Sequence, residues 1–124
     1  MRILGAVLSA AAVAAGCASV KTPVDPGVVC TAVAVSSLNV TVRDSTTGAA
    51  VCDAAVTALR VGERYELRRT GDCRYAGPEE RDGVFEVRAA RSGYEDATVP
   101  GVRVARDECH VIPVAVTVEL RPAS

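Results

Sequence analysis

The sequence predicts an all-β fold, an antiparallel Greek-key β-sandwich of about seven strands preceded by a cleaved signal segment. Three observations carry this expectation. Aromatics are limited to Phe85, Tyr65, Tyr75 and Tyr94, so the core must be built from Val, Leu and Ala, and the stiff χ1 of Val favours a pleated surface. From Leu38 onward, short apolar and polar alternations are separated by turn residues at spacings of roughly 8 to 15 residues. No segment after residue 16 has a 3.6-residue apolar period, so helix is expected to be minimal. The 124 residues suit one domain. With 14 Lys plus Arg against 15 Asp plus Glu, there is no basic field to attract nucleic acid.

Residues 1–16 read Met-Arg, an apolar run from Ile3 to Ala15, then Gly16, which is the pattern of a secretion signal. The apolar run is about 13 residues against the roughly 20 a spanning helix needs, so a retained transmembrane helix is disfavoured. Ala14, Ala15 and Gly16 before Cys17 resemble the lipobox of bacterial lipoproteins, which usually carries Leu where this chain has Ala14. The resemblance implies that the Cys17 thiol is alkylated by diacylglycerol and the signal is cut just before it. Two or more acyl chains hold a protein stably on a bilayer where one chain does so only marginally. The plainer alternative is an ordinary secretory signal followed by an incidental cysteine. Ala18 and Ser19 lack the Asp that retains such lipoproteins in the inner membrane, so an outer-membrane placement is expected where the cell has one. Residues 17–27, with Pro23, Pro26 and Gly27, form the anchor and a solvated spacer. The domain is expected over residues 28–124, with Val28–Val35 apolar enough to join it.

Within the domain, Leu38, Val40 and Val42 should face inward, with Asn39, Thr41 and Arg43 outward. Asp44-Ser-Thr-Thr-Gly48 supplies a turn. Ala54, Val56 and Ala58 mark a second strand, and Val61-Gly62-Glu63 turns it into a third carrying Tyr65 and Leu67. Thr70–Gly83 is expected as one long loop. Phe85, Val87 and Ala89 alternate inward, Ser92-Gly93 turns the chain at Tyr94, and Val102 and Val104 mark the next strand. Pro100-Gly101 interrupts that ladder, which implies a bulge or an edge position. Val114, Val116, Val118 and Leu120 close the fold with the cleanest alternation in the chain.

The residues Val40-Thr-Val-Arg-Asp44, Thr47-Gly48, Val51-Cys-Asp-Ala54, Val56, Gly83-Val-Phe85-Glu-Val87 and Gly93-Tyr94, followed by a Val-rich closing strand, resemble the carboxypeptidase regulatory-like domain of the transthyretin-like (prealbumin-like) sandwiches. The likeness covers roughly residues 36 to 121. Cys73-Arg-Tyr75-Ala-Gly77, Glu80-Arg81 and Glu108-Cys-His-Val111 resemble a cysteine-bearing subset in bacterial lipoproteins. Such domains accompany metallocarboxypeptidase units without supplying zinc ligands or a catalytic Glu, so the resemblance implies a non-enzymatic module. Tyr94 is expected to bury its ring while its hydroxyl finds a backbone partner.

With Cys17 assigned to lipid, Cys30, Cys52, Cys73 and Cys109 remain, an even number in an exported chain, which reads as two disulfides. A hairpin of the second and third strands would bring Cys52 to Cys73, closing a loop of about 20 residues worth roughly 3 kcal/mol. Cys30 with Cys109 would then pin the first segment to the last strand. A zinc site of these thiols with His110 is the alternative, opposed by the absence of C-x₂₋₄-C spacing. His110, the lone histidine, neighbours Cys109 on the chain, so on a strand the two point apart and do not form a nucleophile–base pair. Ser36, Ser37 and Ser45 lack a G-x-S-x-G context. Asn39-Val-Thr41 fits the glycosylation sequon, which carries no meaning in a bacterial lipoprotein.

Glu79, Glu80 and Asp82 beside Arg74 and Arg81 offer an acid/base or cation site, against the plainer reading of solvated charge or a bracing ion pair. Arg74, Tyr75, Glu79, Glu80 and Arg81 are the expected recognition loop, because contacts concentrate on long loops held by rigid sheets. The plainer reading has Tyr75 plugging the sandwich edge and Glu80 paired with Arg81 or Arg74. The functional expectation is an interaction, adhesion or structural module tied to the membrane through Cys17, with no cofactor and no metal, and with an envelope protein or a glycan as partner. A carbohydrate-binding module is the alternative, for which Tyr75 is the one loop-borne stacking residue.

Overall fold

The computed structural model describes residues 29–124. The signal segment 1–16 and the anchor and spacer 17–27 lie outside the described residues. Residues Thr31–Ser124 form one compact unit. Eight strands follow in chain order: β1 (Ser36–Asp44), β2 (Ala55–Arg60), β3 (Glu63–Glu66), β4 (Arg68–Thr70), β5 (Arg74–Glu79), β6 (Gly83–Ala90), β7 (Ala97–Val104) and β8 (Val114–Leu120). No helix occurs among the described residues.

The strands form two four-stranded sheets, in the orders β4-β5-β1-β8 and β3-β2-β6-β7. Every ladder is antiparallel except β1 with β8, which run parallel from Leu38↔Val114 to Asp44↔Leu120. The all-β expectation holds, with one parallel pair inside it.

The inward positions read from the alternation are the ones that form the core. Leu38, Val40 and Val42 of β1, Val56 and Ala58 of β2, Phe85, Val87 and Ala89 of β6, and Val116, Val118 and Leu120 of β8 are buried in one cluster. Each fully buried Val, Leu or Phe contributes about 1.5–3 kcal/mol relative to exposure. Ala54 and Val114 pack partly buried against the same cluster. The β2–β3 hairpin forms as expected, with Gly62 at φ +74 in its turn. On β7, both readings of Pro100-Gly101 hold. The strand lies at a sheet edge, and Phe85↔Val102 followed by Val87↔Val99 sets Glu86 opposite two residues.

The turn after β1 is closed by Asp44, whose Oδ1 accepts the N–H groups of Thr46 and Thr47 at 2.7 and 3.0 Å. Its Oδ2 accepts the Tyr94 hydroxyl at 2.7 Å. Tyr94 therefore bonds a side-chain carboxylate, where a backbone partner was expected. The phenol first, then the two amides, hold the Asp44 carboxyl below its ordinary range, and the same contact raises the Tyr94 hydroxyl.

Two expectations are corrected. Thr70–Gly83 is not one long loop, since β5 runs through it and pairs with both β4 and β1. Of the segment expected to join the fold, Val28 lies outside the described residues and the described part packs on the core only at its end. Val29 and Val33 are 83% and 70% exposed, and Val35 alone of the described valines there packs on the core.

Candidate functional site

The five residues of the expected recognition loop separate in the structure. Tyr75 is 2% exposed and belongs to the core. Its hydroxyl donates to the Val51 carbonyl at 2.8 Å and accepts the Ala54 N–H at 2.9 Å, tying β5 to the β1–β2 connection. Its ring is therefore closed to a sugar or a protein partner. Arg74, Glu79 and Arg81 are exposed, with Glu79 3.7 Å from Arg68 across β4 and β5.

Glu80 is the residue around which a site is built. It lies just past β5 at φ +54, a left-handed conformation that a non-glycine residue adopts only when its surroundings fix it. Its N–H donates to the Val35 carbonyl at 2.9 Å, while its Oε2 accepts the Val35 N–H at 2.9 Å. Its Oε1 accepts the Val111 N–H at 3.2 Å. Oε2 also lies 2.6 Å from His110 Nδ1, and Thr31 Oγ1 lies 3.0 Å from Nε2. With a carboxylate at Nδ1, that nitrogen carries the proton, and in the neutral ring Nε2 accepts the Thr31 hydroxyl. Arg106 adds a bond from Nη2 to the Glu80 carbonyl at 2.9 Å and stands 3.7 Å from Asp82.

Asp107 presents His110 to this cluster. Its Oδ1 accepts the N–H groups of Cys109 and His110, both at 2.8 Å, and its own N–H donates to the His110 carbonyl. These two amides hold the Asp107 carboxyl below its ordinary value. The His110 contact, followed by the Val35 and Val111 amides, does the same for Glu80. On the other side of the β5–β6 turn, the fully buried Ser37 hydroxyl donates to the Arg81 carbonyl at 2.7 Å and accepts its N–H at 2.9 Å. Glu80 thus pairs with His110 and Arg106, in place of the expected Arg81 or Arg74.

Hydroxyl, imidazole and carboxylate stand here in the order of a nucleophilic triad. In this cluster the Glu80 carboxylate is shared between His110 Nδ1 and the backbone amides of Val35 and Val111, while Thr31 Oγ1 has His110 Nε2 as its partner. The arrangement is suited to clamping the segment before β1, the β5–β6 turn and the 106–111 turn together. Thr31, Ser37, Arg106 and Asp107 were not singled out for this role in the sequence, and the one available pointer was a lone His and a Glu within charged runs.

The Cys52–Cys73 bridge is formed, with Cα atoms 4.5 Å apart. Cys52 lies in the β1–β2 connection and Cys73 in the β4–β5 turn at φ +58, so the bridge ties two connections where the sequence suggested the ends of a hairpin. Cys30 and Cys109 are also disulfide-bonded. No group of His, Cys, Asp and Glu among the described residues is arranged to hold a metal ion. No protein-family model and no curated protein matches the sequence.

The clamp predicts a pH dependence. The Glu80 carboxyl is held below 4.5 in the folded chain, so its stabilisation is fully present above that value and is lost as pH falls through the lower, folded value. Glu80→Gln should lower the melting temperature by several degrees at neutral pH and flatten its decline under acid, relative to the unmodified chain. Thermal melts from about pH 7 to pH 3 check this. Parallel curves for the two proteins would remove Glu80 from the acid response.

Proposed function

We propose that the chain is a membrane-anchored lipoprotein of the cell envelope, whose carboxypeptidase regulatory-like β-sandwich serves as a non-enzymatic interaction module for an envelope protein. The observation that carries the reading is the Cys52–Cys73 bridge on a domain that follows a short signal-like segment ending just before Cys17. Disulfides persist in oxidising compartments outside the cytoplasm, and a lipidated Cys17 would hold such a domain at a bilayer without a protein helix. The two-sheet, all-β arrangement over residues 36–120 supports the family likeness. The spending of Glu80 and His110 on bracing contacts supports a scaffold in preference to catalysis, and the burial of Tyr75 removes the stacking residue a glycan-binding reading relied on.

Cys17→Ser tests the anchor. The unmodified protein should partition into the detergent phase and the variant into the aqueous phase, because the acyl chains supply the membrane affinity. A variant retained in the membrane fraction like the parent would rule out lipidation at Cys17. Proximity labelling in the native envelope then identifies the partner.

A further inference from the structure

The four sheet edges are not equally guarded. An edge strand exposes unpaired N–H and C=O groups, and proteins blunt such edges with charge, brevity, proline or bulges. Among the described residues, β3 reads Glu-Arg-Tyr-Glu, β4 is the three-residue Arg-Arg-Thr, and β7 carries the Pro100-Gly101 bulge. Among the described residues, the edge strand β8 carries only one such device, the single charge of Glu119. It is seven regular residues, Val-Ala-Val-Thr-Val-Glu-Leu, and its outward side chains are Ala115, Thr117 and Glu119.

The polarity of its backbone can be read from one bond. The Leu120 carbonyl accepts the Ser45 N–H at 2.8 Å, on the side facing β1. In a strand the N–H and C=O of one residue point to the same side, and the side alternates along the chain. Val114, Val116, Val118 and Leu120 therefore bond toward β1, and Ala115, Thr117 and Glu119 direct both groups at the open edge. The run is bounded at both ends. Pro113 has no N–H, and beyond Glu119 the Arg121 carbonyl already accepts the Glu95 N–H at 2.8 Å.

We propose that β8 pairs antiparallel with β8 of a second copy of this chain, about a two-fold axis through Thr117, joining the two β4-β5-β1-β8 sheets edge to edge. In this register Thr117 meets the partner's Thr117 as a hydrogen-bonded pair, and Ala115 meets the partner's Glu119. All the outward N–H and C=O groups of the run are then used. The side-chain pairing fits a self-association: Thr opposite Thr is favourable, whereas a two-fold through Glu119 would oppose like charges. Glu119 keeps its contact with Arg43, 3.4 Å away on β1. A five-residue contact of this kind is smaller than a standard stable interface, so the association is weak and concentration-dependent. The inference is independent of the lipid anchor.

The test uses the full chain at high concentration in detergent. Thr117→Cys places two thiols across a hydrogen-bonded pair whose Cα atoms are about 5.5 Å apart, within disulfide reach. Asn39→Cys, on the same outer face but on β1, is the control, since two such residues stand at least three strand spacings apart, roughly 14 Å. Mild oxidation should give a covalent dimer from the first variant, several-fold above the second. As a check free of added thiols, Thr117→Lys and Thr117→Glu should each sediment as monomers and their mixture as dimers, because the substituted side chains point into solvent and meet across the axis. Cross-linking of Thr117→Cys at the level of Asn39→Cys, or a mixture of the charged variants that stays monomeric, overturns the proposal.

Discussion

Tyr75→Ala is expected to cost about 3–5 kcal/mol, the range for removing a large aromatic side chain from a packed core. For a domain of this size each kcal/mol shifts the melting temperature by about 4–8 °C, so the variant should melt at least about 12 °C below the parent or fail to fold cooperatively. Two effects add. The ring, 2% exposed, leaves a cavity among the core residues between the two sheets, and the loss of its hydroxyl strands the buried Val51 carbonyl and the Ala54 N–H. Tyr75→Phe separates them, since it keeps the ring and removes only the hydroxyl, at about 1–3 kcal/mol for groups left unsatisfied. Thermal unfolding followed by circular dichroism reads both. An alanine variant that melts with the parent would mean that Tyr75 sits on a solvated loop, one of the two readings the sequence left open.

The loop reading has an identifiable source. Leu38 to Val42, Phe85 to Ala89 and Val114 to Leu120 carry a period of two and bury the face that the period selects, so these strands are legible without coordinates. The segment Arg74-Tyr-Ala-Gly-Pro-Glu79 is not, because Gly77-Pro78 in a strand that is bonded on both sides argues against a ladder. It is tolerated because the β4 partner ends opposite Ala76, so at Pro78 no N–H is required on that side. The Glu80–His110 contact is illegible for a different reason. The two residues are 30 apart in sequence, and they meet because β8 runs parallel to β1, which delivers the 106–111 turn to the end of the sheet where β5 finishes. An alternation pattern states which face of a strand is buried and says nothing about the direction of its neighbour. The disulfide pairing was legible in its partners, Cys52 and Cys73, while the elements that bring them together were not.

Removing the Cys52–Cys73 bridge by substituting both residues with alanine should cost about 3 kcal/mol, the chain-entropy estimate for a loop of this size, whose cysteines are 21 residues apart. The native structure makes this more than a loss of unfolded-state entropy. The bridge joins position 52 to position 73, and the Tyr75 hydroxyl joins positions 51 and 54 to position 75. Both therefore hold the same β1–β2 connection against the same end of β5. While either remains, that connection stays seated and Val51, 4% exposed, keeps its place in the core. Loss of both frees the connection and exposes Val51, so the combined variant should be less stable than the sum of the two separate losses. Contacting residues that share a backbone segment couple by about 0.5–3 kcal/mol, and the expected sign here is synergistic destabilisation. Denaturant melts of the parent, the Cys52→Ala/Cys73→Ala variant, Tyr75→Phe and the triple variant measure the coupling directly. Strict additivity across that cycle would show that the bridge and the phenol act on separate parts of the fold.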